Sequence, residues 1–276
     1  MERITSLSNN RIKEVTLWSA KARERRKADV YLVEGKKMFL EAPEEDFRQL
    51  FVAEPLWEKL ETETNLTGMD AQTVERIRAL DAQGKVPVFL VTEEVFRKMS
   101  DTQTPQGILC VLKQKHYTLE TLLEKEHPLL VILEDLQDPG NLGTILRTGE
   151  GAGITGVILS KDTVDLYNPK TIRATMGSIY RVPFVYVEDL KPVLAELKNR
   201  AVQSYAAHLK GTKYYDAFDF TTGTAFLIGN EGNGLKTETA DLADQYLKIP
   251  MEGQVESLNA AIATSILMYE ANRQRR

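Results

Sequence analysis

Three polar stretches in the second half of the chain carry side chains fit to hold a ligand. "LEDLQDPGNLGTILRTG" contains Asn141 and, six residues later, Arg147. "FLIGNEGNGL" sets Asn230 and Glu231 among Gly229, Gly232 and Gly234. A glycine-rich loop can turn backbone N–H and C=O groups toward a ligand, although this one lacks the Lys-Ser/Thr of a P-loop. "KIPMEGQVESLNAAIA" brings Ser257 and Asn259 to the start of an apolar helix. A fourth stretch, "EGAGITGVILS", matches G-x-G-x-x-G at Gly151, Gly153 and Gly156, the spacing of a dinucleotide-binding loop.

The elements around these stretches decide between readings. From Leu129 onward short apolar runs alternate with helical patterns: "LLVILE", "GVILS", "VPFVYV", "VQSYAAH", "TAFLIGN" and "YLKIP" as strands, with helices between and after them. Such alternation predicts a mainly parallel sheet covered on both faces. Ligands of open α/β sheets bind beyond the carboxyl ends of the strands. "LEDLQDPGN" and "GNEGNGL" both leave a strand at that end. A helix is expected from Asn141, a natural N-cap, with Leu142, Ile145, Leu146, Gly149 and Ala152 as its apolar stripe and Arg147 on the far side. Ser257 can cap the last helix, leaving Asn259 in its first turn. A dinucleotide loop must leave a strand and open a helix. Here the order is reversed: the three glycines end a helix and lead into a strand, where glycine supplies a left-handed C-cap. A nicotinamide dehydrogenase is therefore a poor reading.

The first 113 residues read as a separate, smaller α/β domain, with "VYLVEG", "QLFVAE", "VPVFLVT" and "GILCVL" as strands. Residues 114–128 are polar, close on Pro128, and are expected to be a linker to residues 129–276. The net charge of −5 is unevenly spread. Residues 1–37 hold ten Lys/Arg against five Asp/Glu, a local net of +5. A basic helix of this kind is either a solvated face or a recruiter of phosphate backbones. One Cys and three scattered His exclude a disulfide framework and give no metal-ligand spacing. No apolar run reaches the roughly 20 residues of a membrane span, and the N-terminus is too polar for a secretory signal. A cytoplasmic, metal-free protein is the expectation.

"DPGNLGTILRTGEGAG", "LIGNEGNGL" and "IPMEGQVESLNAAIA", in that order, resemble the three motifs of the SpoU/TrmH branch of the SPOUT RNA methyltransferases. Residues 1–113 are similar, more loosely, to the family's substrate-binding domain, itself like the ribosomal proteins that bind kink-turn RNA. The resemblance implies a trefoil knot in the C-terminal domain, S-adenosylmethionine as cofactor, and a homodimer through that domain. It implies methylation of a ribose 2′-hydroxyl, with 23S rRNA the favoured substrate. A tRNA, or an inactive RNA-binding or ribosome-assembly role, are the alternatives. Carried over by position, Asn141, Arg147, Glu231, Ser257 and Asn259 match catalytic or site-forming residues. Leu209, Gly229, Ile249, Met251 and Leu258 match cofactor contacts.

A ribose hydroxyl is a poor nucleophile, so positioning and help with its proton must carry much of such a reaction. Arg147 stays protonated, which suits it to a phosphate and a developing alkoxide better than to a base's role. Asn141 is expected to orient Arg147, and Glu231 to hold the same network. Ser257 and Asn259 are expected to bond the substrate or fix the cofactor loop. In the first domain, Arg11, Lys13, Arg23, Arg25, Arg26 and Lys27 are the expected phosphate contacts.

Overall fold

The computed structural model describes residues 1–276. The chain opens with β1 (Glu2–Ile4), α1 (Asn10–Ala20), α2 (Ala22–Ala28), β2 (Val30–Glu34) and α3 (Lys36–Glu41). Next come β3 (Phe47–Ala53), α4 (Glu54–Thr62), α5 (Gly68–Gln83), β4 (Val88–Val91), α6 (Glu93–Met99) and β5 (Ile108–Lys113). The second half begins with α7 (Leu119–Leu122), β6 (Leu129–Leu133), α8 (Pro139–Ala152), β7 (Gly156–Ser160) and α9 (Pro169–Thr175). It continues through β8 (Phe184–Val187), α10 (Leu190–Asn199), β9 (Gln203–Ala207), β10 (Lys213–Tyr214) and β11 (Thr224–Ile228). It ends with α11 (Thr237–Ala240), β12 (Gln245–Lys248) and α12 (Ala260–Gln274). These elements form two units, Met1–Lys115 with Tyr167–Tyr180, and His116–Leu166 with Arg181–Arg276.

The first unit is built on a mixed sheet of order β1-β4-β3-β5-β2, in which β5 runs against both β3 and β2. The Asn9 side chain caps α1, and Ile12 and Val15 are buried with Phe51, Phe89 and Val111. The helix stops at Lys21 and restarts as α2, which leaves carbonyls at the end of α1 without helical donors. Arg25 answers them: only 2 % exposed, it donates Nη1 to the Trp18 carbonyl at 2.5 Å and the Ser19 carbonyl at 3.1 Å. This corrects its assignment as a phosphate contact, because a guanidinium spent on helix carbonyls inside the fold is not presented to RNA.

The segment Tyr167–Tyr180 departs from the expected boundaries. Its Tyr167 hydroxyl bonds both the N–H and the C=O of Lys115, its Arg173 pairs with Asp101 at 2.9 Å, and its Tyr180 hydroxyl donates to the Met38 carbonyl. These bonds group it with the first unit rather than with the residues on either side of it. The expected linker is likewise more than a tether. Thr118 caps α7, and Leu122 and Leu123 enter the core of the second unit.

The second unit carries seven parallel strands in the order β10-β12-β9-β11-β6-β7-β8. Strands β6, β7 and β11 are buried along their whole length, as a sheet covered on both faces requires. Leu130, Ile132 and Leu227 pack with Leu190, Leu194 and Leu197 of α10, while α12 packs on α8, β11 and β6.

The glycines of "EGAGITG" have local duties. Gly153 takes φ +79 as the C-cap of α8, donating back toward Glu150 and Gly149. A Cβ on Gly156 would lie 2.3 Å from the Leu122 Cγ, so this glycine admits α7 to the sheet.

Candidate active site at the strand edge

Four neighbouring strands, β12-β9-β11-β6, send their C-terminal ends to one edge of the parallel sheet. Every site stretch singled out in the second half leaves one of those ends, apart from the helical residues that follow. That is the edge where such sheets bind ligands.

Helix α8 starts two residues earlier than its sequence pattern indicated. Asp138 is the N-cap, accepting from the Asn141 N–H at 2.8 Å, and Pro139 is the first helical residue. A proline there loses no hydrogen bond, since the first helical N–H groups have no partner within the helix. Asn141 is thus released from capping, and its side chain reaches outward. Leu142, Ile145 and Leu146 are fully buried beneath it, each worth about 1.5–3 kcal/mol of burial. They fix which way Asn141 faces.

The Asn141 amide joins the three motif stretches. Its Nδ2 donates to Glu231 Oε1 at 3.0 Å, and its Oδ1 accepts from Asn259 Nδ2 at 2.9 Å. Glu231 also accepts from the backbone N–H of Gln137 at 3.0 Å and of Asp138 at 2.9 Å, just ahead of α8. Burial pushes the Glu231 carboxyl up, but the Asn141 amide and these two N–H groups outweigh it and hold the group below the ordinary range. It is an ionised strut with its lone pairs engaged, and so a weak candidate for a base.

Asn259, not Ser257, caps α12: its Oδ1 accepts from Ala261 and Ile262. Asn259 therefore fixes the helix with one end of its amide and Asn141 with the other. Ser257 lies two residues earlier, exposed on the loop and outside the network. Arg147 is also exposed and makes no hydrogen bond or ion pair. Six residues beyond Asn141, it lies roughly 9 Å further along the helix, about 240° around it. The expectation that Asn141 orients Arg147 fails here, because the amide is spent on Glu231 and Asn259.

The glycine-rich loop is closed on itself. Asn230 and Gly234 exchange backbone bonds of 3.1 and 2.8 Å, and Asn230 Oδ1 accepts from the N–H of Gly232 and Asn233. A Cβ on Gly229 would stand 2.0 Å from the Gly234 carbonyl carbon and the Leu235 nitrogen, so only glycine allows the loop to fold back. The loop after β9 makes a similar approach: a Cβ on Gly211 would lie 2.8 Å from the Leu247 carbonyl carbon. That closure leaves Leu209 71 % exposed. After β12, Ile249 and Leu258 are half-buried and Met251 is exposed. Exposed apolar side chains beside loop backbone groups are a suitable wall for a ligand with an apolar ring and polar edges.

Four residues at this edge carry no signal that the motifs alone would reveal: Glu134, Asp135, Gln137 and Lys236. The acids of "LEDLQDP" were visible, but not what they bind. Cys110 is buried in the first unit, and burial pushes its thiol well above the ordinary range, which removes it as a nucleophile. No group of His, Cys, Asp and Glu side chains is placed to hold a metal ion, and no helix is long and apolar enough to cross a membrane.

Residues 128–269 match the SpoU rRNA Methylase family, and residues 9–110 match the MRM3-like substrate binding domain. A relative from Bacillus subtilis, the 23S rRNA (guanosine(2553)-2'-O)-methyltransferase RlmP, is 30% identical over 269 residues, covering 98% of each chain. Among solved structures, the SpoU methyltransferase AviRb from Streptomyces viridochromogenes superposes with a TM-score of 0.82 at 26% identity, covering 97% of this chain and 98% of that one. The AdoMet-bound rRNA methyltransferase from Sinorhizobium meliloti superposes with a TM-score of 0.79 at 31% identity, covering 99% and 97%.

Proposed function

Because this chain belongs to the SpoU family of RNA methylases, we propose that it transfers a methyl group from S-adenosylmethionine to a ribose 2′-hydroxyl of large-subunit rRNA. The observation that carries the reading is the Glu231–Asn141–Asn259 chain of hydrogen bonds, which ties the three motif stretches together at one sheet edge. The size and full-length match of the relative that acts on 23S rRNA favour the same substrate class.

The edge fits the cofactor. Gly229 lets the glycine-rich loop fold back on itself, Leu209 and Met251 expose apolar surface, and Ile249 and Leu258 are half-buried. These five residues would hold S-adenosylmethionine, largely through backbone groups and apolar contact. When bound, the cofactor supplies an electrophilic methyl group on a sulfonium.

The chain's own residues do the positioning. Arg147, free of protein partners, would take the phosphate next to the target ribose and steady negative charge as it develops on the hydroxyl oxygen. Glu231 and Asn259 keep α8 and α12 in register through Asn141. The Ser257 hydroxyl is exposed, ready to bond the substrate or the cofactor loop. In the first unit, Lys13, Arg23, Arg26 and Lys27 are exposed, and Arg11 is partly exposed with its guanidinium 4.7 Å from the centre of the Phe89 ring. These five remain the proposed phosphate contacts.

The reading includes the trefoil knot and a homodimer. Ile262 and Tyr269, one face of α12 at helical spacing, are 52 % and 46 % exposed, and a second copy would cover them. Ile262→Glu is expected to yield monomers by sedimentation.

The deciding experiment maps 2′-O-methyl sites in rRNA and tRNA from cells with and without the protein. One site in 23S rRNA should lose its methyl group and regain it with purified protein and S-adenosylmethionine. A lost site in tRNA, methylation on a base, or no change at all would overturn the proposal.

A further inference from the structure

At the C-terminal end of β6, the dipeptide Glu134–Asp135 grips the glycine-rich loop at both of its ends. Glu134 is 4 % exposed, and each oxygen of its carboxylate accepts a hydrogen bond. One oxygen accepts the Lys236 N–H at 2.8 Å and the other accepts the Thr239 hydroxyl at 2.5 Å. Asp135 holds the same loop from its other side. Its carbonyl accepts from Asn230 Nδ2 at 2.9 Å, and its carboxylate pairs with Lys236 Nζ at 2.7 Å.

Asp135 adopts φ +54, a left-handed conformation that aspartate tolerates better than most residues. Ser160 secures that turn by donating to the Asp135 carboxylate at 2.7 Å while accepting its N–H at 2.8 Å. A buried carboxylate without partners is costly, so the partners of Glu134 are what allow it here; Asp135 is only partly buried. Their partners include Asn230 and Lys236, which stand near the two ends of the loop. Neither acid is needed by the Glu231–Asn141–Asn259 chain.

We propose that Glu134 and Asp135 are positioning residues that bracket the segment Gly229–Lys236 and thereby set the affinity for S-adenosylmethionine. The link to affinity rests on the function proposed above; the bracket itself does not. A loop that spends only part of its time in the binding shape weakens affinity by that fraction.

The test uses the full-length protein with three substitutions: Glu134→Gln, Lys236→Met and Lys236→Arg. Lys236 is half-exposed, so its variants are expected to fold even if Glu134→Gln does not. Hydrogen exchange without cofactor should speed up at Gly232, Asn233, Gly234 and residue 236 in Lys236→Met, with β6, β9 and β11 as protected as before. Calorimetry with S-adenosylmethionine should give a Kd weakened by about fivefold or more, in line with a smaller competent fraction. Lys236→Arg, which keeps the charge, should restore both.

Unchanged exchange in Lys236→Met would overturn the bracket, as would faster exchange spread across the whole sheet, the mark of general destabilisation. Faster exchange confined to the loop with an unchanged Kd would overturn the link to affinity. If the wild-type protein takes up no S-adenosylmethionine while exchange responds as expected, the bracket stands and the methyltransferase reading falls.

Discussion

Asn141 and Glu231 lie 90 residues apart and share a hydrogen bond of 3.0 Å, which fastens the start of α8 to the glycine-rich loop. Two helical-entry N–H groups hold the same carboxylate, so the loop is attached to the helix at three points. Asn141→Ala removes one of these and also the hydrogen bond from Asn259. Methyl transfer should fall sharply while the fold persists, because Leu142, Ile145 and Leu146 still bury α8. A double-mutant cycle with Glu231→Ala should give a coupling of about 0.5–3 kcal/mol, the range for residues in one network. Strictly additive effects on rate would mean that the two act separately.

The loop's closure gives a contrast between two glycines. Gly229→Ala places a methyl group 2.0 Å from backbone atoms of Gly234 and Leu235, neither of which can move aside as a side chain would. Cofactor binding should be lost and the thermal midpoint lowered. At Gly232 the nearest atom to an added Cβ is Asn230 Oδ1 at 3.5 Å, an ordinary contact. Gly232→Ala should therefore bind S-adenosylmethionine within about twofold of wild type, since surface substitutions away from special features usually cost under about 0.5 kcal/mol. Calorimetry on both proteins checks the pair.

The basic end of the first unit divides into two classes. Neutralising Lys13, Arg23, Arg26 and Lys27 together should weaken RNA binding and reduce the slope of log K against log salt by roughly 0.7–0.9 for each phosphate that is no longer neutralised. The folded protein should be unaffected. Arg25→Ala should do the reverse: it strips two carbonyl acceptors of a buried donor and should destabilise the unit by about 1–3 kcal/mol with little change in the salt slope. Filter binding across a salt series and thermal unfolding separate the two.

That division shows where sequence reading stops. Charge counting sees Arg25 as one of six cations, because nothing in the composition reveals that α1 breaks at Lys21 and needs a donor at its end. Periodicity located the six main strands of the second unit, since each overlaps a short apolar run bounded by polar or turn residues, although only β6, β7 and β11 are buried throughout. It missed the three-residue β1 and the two-residue β10, which are too short to show a period. At both capping sites a plausible cap was chosen two or three residues from the real one. Asp138-Pro139 is itself a strong helix start, but Asn141 is an equally good cap taken alone. Asn259 displaced Ser257 because residues 250–258 stay outside the helix, and no local rule says so. The motifs gave candidate site residues; that Asn141 serves Glu231 and Asn259 rather than Arg147 depends on hydrogen bonds across 90 and 118 residues.

Stability should respond to acid through the site's own carboxylates. Glu231 and Asp135 are both held below the ordinary carboxylate range: burial opposes this, but Asn141 and two N–H groups outweigh it at Glu231, as Lys236 and Ser160 do at Asp135. The folded state thus binds fewer protons than the unfolded one between the two values. Stability from these groups is fully present above the unfolded value, near 4, and is lost as pH falls through the folded values. Glu231→Gln should flatten the acid limb of a plot of unfolding free energy against pH by lowering stability at neutral pH, with least effect at low pH, where the native carboxyl is already protonated. An unchanged acid limb would mean that the Glu231 hydrogen bonds do not persist in solution.

Arg147 is the remaining test of how the methyl acceptor is activated. The structure separates it from the Asn141 amide, so its charge is not spent on the protein and is open to substrate. A guanidinium that clamps a phosphate and steadies an alkoxide depends on a planar fork of donors, which lysine lacks. Arg147→Ala should bind S-adenosylmethionine as wild type does, yet lose about a hundredfold or more in methyl transfer, the usual scale for removing a transition-state donor. Arg147→Lys should recover RNA affinity, because the charge remains, while turnover stays low. Near-normal turnover in Arg147→Lys would show that a point charge suffices and that the fork is not used. Loss of cofactor binding in Arg147→Ala would move Arg147 from the substrate side of the reaction to the cofactor side.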